Sequence, residues 1–206
     1  MNGILIFGDS ITAGRGVAKE RSWVSRLTRS FDEKNKYDYA VYNLGVPGES
    51  SFDLLGRLEV ECQARIKKRA EDDSYKIIFA IGINDSKSLG PTENFNTPPE
   101  IFTQNINDLI KIASKYSGCL IFVGLTLVDE KKVAQIEEIA FLNRYIKKYN
   151  NIIKDICEKR NIVFVDIFQD WLDKDYKKFL SDDGIHPNEI GHQKIFEKIK
   201  PYFYKL

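Results

Sequence analysis

Histidine is almost missing from this chain: His186 and His192 are the only two in 206 residues. Any chemistry that needs a side chain titrating near neutral pH must therefore use one of them. Cysteine is equally sparse. Cys62, Cys119 and Cys157 are odd in number, lie far apart and form no Cys-x-x-Cys pair, so zinc and dithiol redox motifs find no support. The expected role of these thiols is as small buried side chains on helix and strand faces. Long apolar runs are absent too. Ile4-Leu5-Ile6-Phe7 is too short for a signal peptide or a membrane span, and no basic stretch precedes it. A soluble, cytoplasmic protein is the expectation. An excess of one charge is the last absence: 31 basic and 30 acidic residues leave +1, so neither a nucleic-acid-binding field nor an acidic tail is expected. The brief Lys67-Lys68-Arg69 cluster ends a helical pattern and reads as a solvated face.

What is present is a globular composition, 43% hydrophobic and 30% charged, at a length that suits one domain with a sizeable core. No repeat, linker or low-complexity tract divides it, so residues 1–206 are read as one domain. Five short apolar runs recur, at Ile4–Phe7, Tyr39–Leu44, Ile77–Ile81, Leu120–Leu125 and Ile162–Val165. None alternates cleanly with polar residues, as expected for strands buried on both faces of a parallel sheet.

The segments between them carry a helical period. Leu55, Leu58, Cys62 and Ile66 step by three and four, as do Phe102, Ile106, Leu109 and Ala113. The second set follows Thr97-Pro98-Pro99-Glu100, which predicts Thr97 as N-cap, Pro98 at the first helical position and Glu100 closing a capping box. Leu142, Ile146, Tyr149, Ile153 and Ile156 predict a long helix from about 133 to about 160. Trp23, Val24 and Leu27 mark a shorter helix, and Ile195, Phe196 and Ile199 the last one. The aromatic C-terminus Pro201-Tyr202-Phe203-Tyr204 is expected to pack within the chain. Strands alternating with helices predict an α/β fold: a three-layer α/β/α sandwich around a five-stranded parallel sheet. Two long irregular stretches remain, 85–97 and 166–187.

Ligands of such sheets bind at the carboxyl ends of the strands, so the strand pattern is also a site map. Gly8-Asp9-Ser10 follows the first strand, Gly45 to Ser50 the second, Gly82-Ile83-Asn84-Asp85 the third, and the loop holding Asp183 and His186 comes after the fifth. His192 falls inside the last helix and is expected on its face, against the first-strand region or solvent. His186 stands in the turn Asp182-Asp183-Gly184-Ile185-His186-Pro187-Asn188. An aspartate three residues earlier can accept its Nδ1–H, which leaves Nε2 to take a proton from a serine. Ser10 is the serine presented at the sheet edge. Ser10 N–H, Gly48 N–H and the Asn84 amide are candidate donors to an oxyanion. Each fragment alone is also what an ordinary turn or helix cap contains. It is their common placement after successive strands that argues for one site.

With these blocks in order, the chain resembles the SGNH or GDSL hydrolase family from Gly8 to the last helix. Gly8-Asp9-Ser10-Ile11 matches the nucleophile block, with isoleucine where the family name has leucine. Asn43 to Ser50 matches the second block, with the oxyanion glycine at Gly48 and Gly45 as the alternative. Gly82-Ile83-Asn84-Asp85 matches the third, and Asp183-Gly184-Ile185-His186-Pro187 the last. The resemblance implies a flavodoxin-like three-layer fold and carboxylic-ester hydrolysis without metal or organic cofactor. It implies a triad of Ser10, Asp183 and His186, and an oxyanion hole of Ser10, Gly48 and Asn84. Asp9 is expected to hold the nucleophile loop. Asp9 would serve as the triad acid only if Asp183 pointed away, and Asp182 could replace Asp183 but stands four residues before His186 and loses the family match.

Esterases, thioesterases, lysophospholipases and carbohydrate O-acetylesterases all occur in that family. The 86–99 loop, with Leu89, Phe95 and Pro98-Pro99, and the segment Thr126 to Lys132 are expected to rim the pocket. Neither carries an extended apolar patch, which favours a small acyl or O-acetyl ester of a small soluble molecule. The rival from another class is a flavodoxin-like nucleotide- or phosphate-binding module. Gly14-Arg15-Gly16 points that way, but no third glycine completes a dinucleotide fingerprint.

Overall fold

A computed structural model describes residues 2–33, 39–67, 73–90, 92–133 and 139–204. Its strands are β1 (Asn2–Gly8), β2 (Tyr39–Gly45), β3 (Ser74–Ala80), β4 (Ser88–Leu89), β5 (Cys119–Val123), β6 (Ile139–Ala140) and β7 (Val163–Val165). Its α-helices are α1 (Ser10–Ala13), α2 (Trp23–Asp32), α3 (Ser51–Arg65), α4 (Pro99–Ala113), α5 (Glu130–Val133), α6 (Asn143–Lys159), α7 (Ile167–Leu172), α8 (Glu189–Ile199) and α9 (Pro201–Tyr204). The main sheet has five parallel strands in the order β2-β1-β3-β5-β7, and β4 pairs with β6 in a small antiparallel ladder.

The strand order explains the layers. From β1 the chain steps one way to β2, then reverses to β3, β5 and β7. Right-handed crossovers then place helices on opposite faces before and after the reversal. Accordingly α2 packs with α8, while α3, α4 and α6 pack in sequence on the other side. The reversal lies between β1 and β3, where the ends of the two strands splay toward different loops. Such a switch point is where this architecture opens a crevice.

The runs of the central strands β1, β3 and β5 are covered on both faces, whereas β2 and β7, at the sheet edges, are only partly buried, contrary to expectation. From Ile4 to Phe7 no residue is more than 1% exposed, and Ile77, Ile78 and Phe79 are fully buried. Phe79 stacks on Phe7 at 5.8 Å and on Phe122 at 4.9 Å between ring centroids, a ladder across β1, β3 and β5. Cys62 and Cys157 are buried, and burial pushes each thiol up to about 12. Phe203 of α9 packs edge-on against Phe31 within the chain. Among the described residues no helix is long and apolar enough to cross a membrane.

Four local expectations change. Helix α4 starts at Pro99 with Pro98 at the cap position, and Thr97 does not cap it. Thr97 is buried instead: its side chain bonds Asp85 and its carbonyl accepts the Tyr149 hydroxyl. The buried carboxylate needs donors more than the helix end does. The capping box that does form is Ser50 with Asp53 at the start of α3. In α3 the fully buried face is Leu54, Leu58 and Cys62, with Leu55 and Ile66 only partly covered. The helix predicted from about 133 starts at Asn143. Leu142 before it is extended, and residues 134–138 lie outside the described residues. Residues 68–69 of the basic cluster also lie outside them. The 166–187 stretch is not irregular throughout: Asp166 caps α7, and Trp171, fully buried, meets Phe179 at 5.2 Å.

The aromatic ladder predicts that Phe79→Ala lowers stability by about 3–5 kcal/mol, because it removes the middle ring of three. Urea unfolding of the two proteins checks this, and a loss under about 1 kcal/mol contradicts the packing.

Candidate active site

Strand β1 ends at Gly8, and the chain turns at once. Asp9 is extended and its Oδ1 accepts the Ile11 N–H at 2.9 Å, capping the single-turn helix α1. Ser10 is the first residue of that turn, so its N–H belongs to the donors that a helix start leaves unpaired. Arg15 N–H closes the turn on the Ser10 carbonyl at 2.8 Å. Gly16 (φ 96) then passes so close to the other side of the site that a Cβ there would stand 2.6 Å from the Pro187 carbonyl oxygen. Gly16 is thus packed against His186 and Pro187, and Gly14 against Ser22, so the segment is not an open phosphate cradle.

The second arm comes from the turn before α8. Ser181 N–H donates to the His186 carbonyl at 2.8 Å and Gly184 N–H to the Ser181 carbonyl at 3.0 Å, which folds 181–186 into a compact loop. Inside it, Asp183 Oδ1 accepts from Ser181 Oγ (2.8 Å), Ile185 N (2.9 Å) and His186 N (2.9 Å). Asp183 Oδ2 lies 2.6 Å from His186 Nδ1, and His186 Nε2 lies 2.9 Å from Ser10 Oγ. Burial opposes ionisation of Asp183. The His186 backbone and ring, Ile185 N–H and the Ser181 hydroxyl outweigh it and hold the carboxyl at about 2. An ionised carboxylate only accepts, so in the neutral ring Nδ1 carries the proton and Nε2 faces Ser10 as acceptor. Asp182 points to solvent, with Lys132 at 3.9 Å. The 126–132 segment is less of a rim than expected. Leu127 and Val128 are buried, and Asp129 N–H clips the turn by donating to the Gly184 carbonyl at 2.8 Å.

The remaining candidates sit on two neighbouring loops. Glu49 N–H donates to the Val46 carbonyl at 3.2 Å across Pro47 and Gly48, a reverse turn. Gly48 has φ 82, the left-handed value that the third residue of a type II turn takes and glycine accepts. Gly45 is otherwise engaged, since its N–H donates to Asn43 Oδ1 at 3.1 Å. Asn84 lies in the turn after β3, closed by Ser86 N–H on the Gly82 carbonyl. One amide hydrogen of Asn84 goes to the Glu49 carbonyl at 3.0 Å, and a second remains. Asp85, fully buried, binds the Ser51 N–H and hydroxyl, and Asn105 donates to the same hydroxyl, which pins the start of α3.

Three features escaped the sequence. One is the depth of His192: it is fully buried, accepting from Trp23 N–H and lying 3.3 Å from the Arg15 carbonyl, so it bridges α8 to the segment after Ser10. Another is the anchoring of Ser51 by Asp85. The third is the pairing of Glu49 with Arg57. Of these, only the helix start at Ser51 carries a sequence signal, the Ser50-x-x-Asp53 spacing of a capping box. Among the described residues no group of three or more His, Cys, Asp or Glu side chains could hold a metal ion.

An imidazole with one nitrogen on a fixed carboxylate and the other on a serine hydroxyl can withdraw that hydroxyl's proton as it attacks. Nearby N–H groups can receive negative charge. The arrangement is that of a serine hydrolase. Residues 6–194 match the GDSL-like Lipase/Acylhydrolase family, and the chain belongs to it and is a carboxylic ester hydrolase. Esterase TesA of Pseudomonas aeruginosa is 22% identical over 199 residues, covering 96% of this chain and 86% of the relative. A lipolytic G-D-S-L family protein from Veillonella parvula superposes with a TM-score of 0.76 at 22% identity over the whole of both chains. Axe2, an acetyl xylan esterase from Geobacillus stearothermophilus, superposes with a TM-score of 0.74 at 20% identity, covering 97% of this chain and 93% of the other. These likenesses establish the shared fold.

Two buried groups beside the site make opposite contributions to stability. Burial pushes His192 down from 6.5 to about 4. Between those values the unfolded chain binds a proton that the fold refuses, so its stability is present above 6.5 and is lost as pH falls to about 4. Asp9 is pushed up from 3.8 to about 7 by burial and, further, by the charges of Asp85 and Glu49. The fold keeps a proton there that the unfolded chain releases, so its stability is present below 3.8 and is lost as pH rises to about 7. Each slope approaches about 1.4 kcal/mol per pH unit, and in the shared window they cancel. Urea unfolding at about pH 4.5 and about pH 6 checks this. Relative to wild type, Asp9→Asn should gain about 2 kcal/mol at the higher pH and His192→Gln should lose about as much. Tilts of the same sign contradict it.

Proposed function

We propose that the protein is a serine esterase that removes short acyl or O-acetyl groups from a small soluble molecule through an acyl-serine intermediate. The observation that carries this reading is the continuous hydrogen-bond path from Asp183 through His186 to Ser10 Oγ. In the first step Oγ bonds to the ester carbonyl carbon, and its proton passes to His186 Nε2. The carbonyl π pair moves onto oxygen, where Ser10 N–H, Gly48 N–H and the free Asn84 amide hydrogen receive it. The tetrahedral species collapses, the ester C–O bond breaks and His186 returns the proton to the leaving alcohol. Water then adds to the acyl-serine with the same histidine as base, releasing the acid and restoring Ser10. Asp183 stays ionised throughout and holds the ring.

The preference for a small ester draws on the 86–99 loop, which is expected to rim the pocket. That loop encloses a cavity of about 370 Å³ lined by Lys87, Ser88, Leu89, Asn94, Phe95 and Asn96, four polar residues beside two apolar ones. Leu89 is exposed as a single apolar side chain and Phe95 is buried. This favours an acetylated sugar over a lipid surface. A panel of acyl esters of increasing length, an acetylated sugar and an acyl-CoA decides between deacetylase, thioesterase and lysophospholipase. Activity rising with chain length contradicts the small-acyl reading.

Ser10→Ala should lose at least about a thousandfold in turnover of p-nitrophenyl acetate, and equal turnover refutes the assignment. Asn84→Ala should lose about a hundred- to a thousandfold in kcat. Because His186 must be neutral to act as base, kcat/KM should fall on acidification, and a flat pH profile contradicts that role.

A further inference from the structure

Glu49 takes no part in the proton path, yet it is only 5% exposed and stands between two of the proposed oxyanion donors. Its two ends have separate attachments. Its backbone follows Gly48 directly, and its carbonyl accepts Asn84 Nδ2 at 3.0 Å. Its carboxylate is gripped on both oxygens by Arg57: Nε donates to Oε1 at 2.5 Å and Nη2 to Oε2. Arg57 in turn reaches the sheet. Its Nη2 donates to the Leu44 carbonyl of β2 at 2.7 Å, and its Cζ stands 5.6 Å from the centroid of the Phe7 ring in β1.

Gly48 has no side chain to anchor it, its φ of 82 belongs to a turn, and a Cβ added there would meet nothing within 4 Å. The turn is held at its two ends, by Val46 N–H on the Gly8 carbonyl at 2.9 Å and by Glu49. The backbone that carries this N–H is therefore located in part by Glu49. A two-point guanidinium–carboxylate pair fixes direction as well as distance, which a single lysine contact does not. It also neutralises a buried carboxylate that, unpaired, would oppose negative charge forming nearby.

We propose that Glu49 is a positioning residue for the oxyanion hole, clamped by Arg57, and that it sets the Gly48 N–H and the Asn84 amide relative to each other. The inference rests on the reading that those two groups receive the oxyanion. Glu49 touches no reacting atom and acts through its neighbours. Loosening it should therefore weaken transition-state binding and leave substrate binding nearly intact.

The test is a double-mutant cycle in kcat and KM on p-nitrophenyl acetate, with wild type, Glu49→Gln, Asn84→Ala, the double variant and Ser10→Ala. Glu49→Gln should lower kcat about tenfold with KM within about twofold, as a displaced donor does. Asn84→Ala should lower kcat about a hundredfold, and the double variant should fall only about two- to threefold below Asn84→Ala alone, because both changes damage one element. A double variant about tenfold below Asn84→Ala, or an unchanged kcat in Glu49→Gln, overturns the proposal. If Glu49→Gln does not fold, Arg57→Lys carries the same test: it keeps the charge, loses the two-point grip and should show the same kcat loss at unchanged KM. Normal turnover in Ser10→Ala would instead overturn the reading of the site itself. An inactive Ser10→Ala with independent losses at Glu49 and Asn84 overturns the positioning role alone.

Discussion

The bond from Ser10 Oγ to His186 Nε2 joins residues 176 apart in sequence, and the site exists only while that join is kept. A hydrogen bond contributes roughly 1 kcal/mol net, far too little to order two loops, each of whose residues gives up about 1–2 kcal/mol of backbone entropy. The geometry must come from packing elsewhere. On one side Ser10 is set by the end of β1 and the cap that Asp9 places on α1. On the other, the 181–186 loop is folded on Asp183 and clipped to Asp129. Between them lie Gly16, pressed against Pro187, and His192, buried between Arg15 and Trp23. Packing of α2 against α8 carries that seam down the same face of the sheet, with Arg26 reaching Gln193 across it.

Four carboxylates crowd this edge, and their surroundings differ. Asp183 is partly open to solvent and surrounded by donors, so it remains ionised where His186 needs a fixed counter-charge. Glu49 is buried but paired with Arg57. Asp85 is pushed up by burial, against the pull of its Ser51 and Thr97 bonds. Asp9 is pushed up by burial, against the pull of the Ile11 N–H, and further by Asp85 and Glu49. Negative charge is thus firmly kept behind the imidazole and is paired or suppressed around Ser10 and Gly48. That distribution suits a reaction in which the new anion forms on the serine side.

Much of the frame was legible. Continuous Ile, Val, Leu and Phe runs have few other uses than strands covered on both faces, and the five-stranded parallel sheet follows from them. Given the sheet, the segments after its strands had to converge, which is why position alone points to Ser10, Gly48, Asn84 and the Asp183–His186 turn as candidates, and the structure joins Ser10 to His186 and Asp183. Boundaries were less legible where a side chain had a tertiary use. Thr97 has every property of an N-cap but is taken by Asp85, and the period through Leu55 ran one residue off the buried face. Glu49 and Arg57 escaped notice because eight residues and a turn-to-helix junction separate them, and charged residues ordinarily mark a solvated face. His192 on an amphipathic helix gives no sign in sequence of whether it faces water or a carbonyl.

The central claim is that Ser10 is a nucleophile activated by His186. It is tested most directly by reacting the protein with a fluorophosphonate and locating the adduct by mass spectrometry. The account predicts a single adduct on Ser10, absent from Ser10→Ala and strongly slowed in His186→Ala. An adduct on another residue, or labelling of Ser10 that proceeds as fast without His186, would contradict it.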